Sequence, residues 1–252
     1  MPHGYPDFGV ELEGLSPVLD LAELAARLLS GAGGLYRGGN VIFSTVMQNG
    51  LGAFPTKTLS GGAAKIALNS KYADYGPACV ALTCQATIGN TTILGRDIAA
   101  NYVGKIGAEI SVLFLTDVSV RCRLRLTSIY LSGVKHQYEL RINYDSATDK
   151  IDLDYLNSSN AYTDWQDLGV HIFGRGFTSF KLVVDNTTEG SPLYDHVTVN
   201  GKDYTFSSVA GYKPAAAAAS LPVTQLEIIN EALAAAARIF YVGLCIFTVN
   251  EP

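Results

Sequence analysis

The sequence predicts an all-β fold, an antiparallel two-sheet jelly-roll sandwich with an extended N-terminal arm and one short helix. Three observations predict it. From about residue 40 onward, apolar and polar residues alternate with a period of two. Short turn signals separate the alternating runs. Only one segment has helical spacing, so there is no βαβ rhythm.

The elements follow in chain order. Residues 1–19 contain Pro2, Pro6 and Pro17 among scattered apolar groups, which suits an extended arm. Tyr5, Phe8, Val10 and Leu12 are costly to leave in water, so they are candidate subunit contacts. In "DLAELAARLLSGAGG", Asp20 caps a helix and Glu23 completes a capping box. Leu21, Leu24, Ala25 and Leu28 form its apolar stripe, and Gly31 ends it. The expected division is 1–38 for arm and helix and 39–252 for the sandwich.

The clearest strand is "SVRCRLRLTS". Val120, Cys122, Leu124 and Leu126 take one face, and Arg121, Arg123 and Arg125 the other. "HQYELRINY" alternates likewise, a turn follows at "DSATD", and "KIDLDYL" turns Ile151, Leu153 and Tyr155 inward. Three such runs with short connections make a meander. "FKLVVD" and "YDHVTVNGKDYTF" continue it, and Asn200-Gly201 is a strong hairpin signal because both residues tolerate positive φ. "KPAAAAAS" (213–220) reads as a loop, and "QLEIINEAL" and "ARIFYVGLCIFTV" close the chain, for ten or so strands in all.

Composition narrows the function classes. The chain has 252 residues, enough for a sizeable core. Charged residues make up only 16%, against about 25% in an ordinary soluble domain, so burial of surface against other subunits is expected. A net charge of -5 and the lack of a Lys/Arg run give no reason to expect nucleic-acid binding. The N-terminus has no signal-peptide pattern, and no apolar run reaches membrane-span length. Cys79, Cys84, Cys122 and Cys245 lack metal spacing and read as buried free thiols of a reducing cytoplasm. The sequons at Asn90, Asn157 and Asn186 carry little weight without a secretion signal.

"ALNSKYADYGPACVALTC" resembles an early segment of jelly-roll carbohydrate-binding modules, and "VIFSTVMQNGLGAF" resembles their opening strand. "FTSFKLVVDNTTEGSPLYDHVTVNGKDYTF" is similar to a hairpin of laminin-G and concanavalin-like domains, and "ARIFYVGLCIFTVNEP" to their last strand. "MPHGYPDFGV" and the "NEP" ending also resemble phage-type β-sandwich proteins. The resemblance to carbohydrate-binding modules implies a structural calcium between the first and last strands. Here Ser44, Thr45, Gln48, Gly243 and Leu244 stand where acids would be needed, so no metal is expected there. Phe54 replaces the Trp of the sugar-stacking platform.

No catalytic constellation emerges. His3, His136, His171 and His196 sit in separate segments, and no serine lies in a nucleophile-elbow motif. Asp145, Asp149, Asp152 and Asp154 lack a calcium-loop pattern and read as a solvated hairpin. A glycosidase needs two carboxyls about 5–10 Å apart, and nothing marks such a pair. Arg121, Arg123 and Arg125 either pair with Glu139, Asp152 and Asp154 across strands or face an anionic ligand. Tyr162 and Trp165 are either a sugar platform or packing at the edge of the core. The expectation is a non-enzymatic, cofactor-free, self-assembling virion component, with other virion proteins as further partners. A carbohydrate-binding module or lectin is the alternative, and a polysaccharide-active enzyme a third reading.

Overall fold

Alternating side chains, rich in β-branched and aromatic types, favour pleated strands over helix. In a computed structural model the described residues form fifteen strands and one 3-10 turn, Gly50–Ala53. The structure describes residues 39–45, 47, 50–61, 63–72, 78–98, 102–115, 119–130, 132–170, 176–188, 191–214, 223–233 and 237–252. The expected arm with Tyr5, Phe8, Val10 and Leu12, the helix at 20–30, Gln48, and 215–220 of the Ala-rich segment lie outside these residues.

One sheet holds β3 (Lys65–Asn69), β4 (Cys79–Cys84), β6 (Lys105–Phe114), β11 (Thr178–Asp185), β12 (Leu193–Val199), β13 (Lys202–Ala210) and β15 (Arg238–Val249). Its order is β13-β12-β11-β6-β15-β4-β3, and β1 (Asn40–Thr45) also pairs with β15. The other sheet holds β2 (Thr56–Leu59), β5 (Thr91–Ile98), β7 (Val120–Ile129), β8 (Lys135–Asp145), β9 (Lys150–Leu156), β10 (Tyr162–Val170) and β14 (Val223–Glu231). Its order is β10-β9-β8-β7-β14-β5-β2. We call the two the eight-stranded and the seven-stranded sheet. All strand pairings among the described residues are antiparallel. The strand count exceeds the expected ten or so because short, exposed strands such as "TKTL" bury too little apolar surface to show a period.

The core lies between the sheets. From the seven-stranded sheet come Cys122, Leu124, Leu126, Tyr138, Leu140, Ile142, Leu226 and Ile228, and from the other Ile110, Val112, Phe180, Leu182, Phe240 and Phe247, all buried. Phe114 of one sheet stacks on Tyr144 of the other, centroids 5.5 Å apart. Each such side chain contributes about 1.5–3 kcal/mol on burial. The four cysteines are buried thiols outside any disulfide, and the Cys79 thiol donates to the Asn69 carbonyl.

Asn200 and Gly201 both take positive φ, 47° and 84°, and close β12 onto β13. The first and last strands of the sandwich pair as antiparallel neighbours, with Ser44 opposite Ile246 and Thr45 opposite Cys245. Just beyond β15, the Lys181 Nζ donates to Glu251 at 2.7 Å, and the Thr248 hydroxyl donates to the same carboxylate. A Cβ on Gly107 would sit 2.7 Å from that carboxylate, so a glycine is needed there. No group of three or more His, Cys, Asp or Glu suited to a metal occurs among the described residues. No helix among them is long and apolar enough to cross a membrane.

Candidate functional site

Because strand side chains alternate, the residues between core positions on β7, β8, β9 and β14 all reach the outer face of the seven-stranded sheet. Register then sets their neighbours. Arg125 lies between Glu139 of β8 and Glu227 of β14, and Arg121 between Asn143 and Glu231. Arg141 faces Asp154 of β9, and Asp154 in turn faces Asp164 of β10.

Glu139 is the centre of the network. Its side chain is fully buried. Arg125 Nε donates to its Oε2 at 2.6 Å, and Arg123 Nη1 to its Oε1 at 3.1 Å. The Tyr162 hydroxyl also donates to Oε1, and itself accepts from Arg123 Nη1 at 2.8 Å. Arg125 Nη1 reaches Glu227 at 3.1 Å on the opposite side. Arg121 donates to Asn143 at 2.9 Å and pairs with Glu231 at 3.4 Å. Arg123 Nε faces Glu231 Oε2 at 3.6 Å, close enough for attraction but too long for a hydrogen bond. Arg141 Nε donates to Asp154 at 2.7 Å, and its guanidinium lies 3.8 Å over the Tyr162 ring.

The arginines thus pair across strands, with differences from the expected partners. Glu139 serves Arg123 and Arg125, while Asp154 is taken by Arg141. Glu227 and Glu231, on a strand a hundred residues away in sequence, supply the other half of the ladder. Sequence alternation marks which face they occupy, but the neighbour relation of β7 and β14 exists only in the folded sheet.

Asp152 has no ion pair among the described residues. Burial, then the charges of Asp167, Asp164 and Asp154, push its carboxyl above the ordinary range. Burial, then the Arg141 charge, lowers the Arg121 guanidinium below its ordinary value.

Tyr162 and Trp165 part company. Tyr162 joins the ladder, whereas Trp165 turns inward and stacks on Phe206 of the opposite sheet, centroids 3.9 Å apart. Trp165 lies three residues after Tyr162, so alternation alone turns it to the inner face, and the register shift between Asp164 and Gln166 resets the period only after it. His136 is buried beside Tyr130, and His196 lies against Asp195.

No protein-family model matches the sequence, and no curated protein matches it. Solved structures do. An endo-β-1,4-glucuronan lyase from the fungus Trichoderma reesei matches with a TM-score of 0.57 at 8% identity, over 83% of this chain and 96% of that one. A cellulose induced protein, Cip1, matches with a TM-score of 0.51 at 15% identity, over 82% and 96%. These likenesses concern the fold. They also overturn the expectation of a non-enzymatic chain, because a lyase is built on the same framework. That expectation rested on the lack of a sequence motif, and a site assembled from several strands need not leave one. The chain has the fold of an antiparallel two-sheet jelly-roll β-sandwich.

Proposed function

We propose that this protein binds a polysaccharide across the outer face of the seven-stranded sheet. The observation that carries the reading is the ladder itself, in which arginine, glutamate, asparagine and tyrosine groups hold one another in fixed positions. Sugar hydroxyls both donate and accept, and the ladder alternates donors with acceptors at strand spacing. Groups already ordered by their neighbours lose little freedom on binding. The fold shared with a glucuronan lyase and with a cellulose induced protein supports a carbohydrate ligand over an assembly role in a virion.

Arg121 is the most open guanidinium of the ladder, its side chain 24% exposed. Affinity electrophoresis in gels containing soluble polysaccharides tests the reading. Retardation of the intact protein, reduced in Arg121→Ala with its circular dichroism unchanged, is the expected result. Unretarded migration in every polysaccharide would refute it.

One observation favours a second reading, cleavage of the bound polymer. Glu139 and Glu227 lie on two sides of the Arg125 guanidinium, 2.6 and 3.1 Å from its nitrogens. The rigid fork keeps their bonded oxygens no more than about 8 Å apart, an upper limit that overlaps the roughly 5–10 Å span of a glycosidase carboxyl pair. Release of reducing ends, lost in Glu227→Gln, would support cleavage.

A further inference from the structure

We propose that the ligand of this face is an uncharged polysaccharide and that polyuronates are rejected. This inference rests on the carbohydrate reading above and narrows it to a substrate class.

Two observations carry it. The first is occupancy. Each guanidinium on the face already has a carboxylate: Arg121 has Glu231, Arg123 has Glu139, Arg125 has Glu139 and Glu227, and Arg141 has Asp154. A uronate carboxylate would have to displace one of these acids. The displaced acid would then stand unpaired in a partly buried position. Glu139, with no exposed side-chain surface, could not be released to water without opening the network.

The second is charge. Register places four guanidiniums, Arg121, Arg123, Arg125 and Arg141, against six carboxylates, Glu139, Asp152, Asp154, Asp164, Glu227 and Glu231. Four against six leaves two negative charges in excess. Lys150 offsets them only in part: its ion pair, at 4.0 Å, is with Asp167, and its pull on Asp152 is outweighed by burial and the charges of Asp167, Asp164 and Asp154. The excess sits at the β9–β10 side, where Asp152 and Asp164 have no basic partner among the described ion pairs. A polyanion approaching that side meets like charge, which lowers both its local concentration and its affinity. A hydroxyl-rich neutral chain has no such penalty. It can hydrogen-bond to the edges of paired groups without breaking a pair, since carboxylate oxygens and guanidinium nitrogens have capacity beyond one bond.

Isothermal titration calorimetry on the full chain is the test, with a mixed-linkage β-glucan, a neutral xylan and polyglucuronic acid as probes at low and physiological salt. At least one neutral polymer should bind, and polyglucuronic acid should bind at least about tenfold more weakly, the gap widening as salt is lowered. The double variant Asp152→Asn, Asp164→Asn removes the excess and should narrow that gap. Equal or tighter binding of polyglucuronic acid by the native chain would overturn the inference while leaving the face as a carbohydrate site. A gap unaffected by both salt and the double variant would overturn its electrostatic basis. Failure of all three polymers to bind would count instead against the carbohydrate reading itself, and the inference would fall with it.

Discussion

Glu139 shows how one residue can hold a sheet face together. Its carboxylate accepts from Arg123, Arg125 and Tyr162, and its backbone N–H donates to the buried Tyr194 hydroxyl at 2.7 Å. Removing the acid leaves two arginines without their shared counter-charge. Glu139→Ala should therefore cost about 3 kcal/mol in chemical denaturation, and Glu139→Gln, which keeps an acceptor, clearly less. An equal loss in both would mean that packing rather than charge is at stake. Asp152 works in the opposite sense. Its folded-state carboxyl is raised, so the native chain holds that proton more tightly than the unfolded chain does. Its ionisation then costs stability as pH rises from the ordinary carboxylate range through the folded value, and the cost is complete at neutral pH. Asp152→Asn should raise the melting temperature at neutral pH and leave it unchanged near about pH 3, below the unfolded value. A stabilisation that persists in acid would disprove this account. Of these two roles, the sequence shows only that both acids lie on a polar strand face. Whether an acid is paired or crowded depends on neighbours three strands wide.

At the scale of elements, local chemistry was the most legible. The Asn200-Gly201 pair specifies its hairpin because the turn needs two positive φ values, and an L side chain at the second strains it. Gly201→Ala should destabilise by about 1–2 kcal/mol in urea melts, since a left-handed Cβ meets its own carbonyl. A neutral effect would show that the turn relaxes to another type. The alternation of β7, β8 and β9 was likewise readable, because a buried face forces a period of two. β10 was not readable in that way. Its bulge offsets the period beyond Trp165, and a pattern of nine residues cannot tell a bulge from a loop. Tyr162 and Trp165, three residues apart, are put on opposite faces by alternation itself, while the residues after Trp165 follow the shifted register.

In the whole molecule, the two sheets are joined by side chains rather than by shared strands. Trp165 on Phe206 and Phe114 on Tyr144 span the gap. Trp165 is the single tryptophan, so its fluorescence reports that joint directly. Phe206→Ala should shift its emission to longer wavelength and cost about 3 kcal/mol while β circular dichroism persists. An unshifted emission would mean that Trp165 does not need Phe206 to stay dry.

The sequence alone determined the all-β class, the strand faces, the hairpin turn and the buried thiols. Each follows from periodicity or backbone sterics, which act over a few residues. Only the tertiary structure decided that β14 lies beside β7, bringing Glu227 and Glu231 to the arginines a hundred residues earlier. It also decided that Trp165 belongs to the core and that every guanidinium on the face is already answered by an acid. Strand order in a sandwich depends on which long-range pairs bury the most surface together, and no local pattern carries that information.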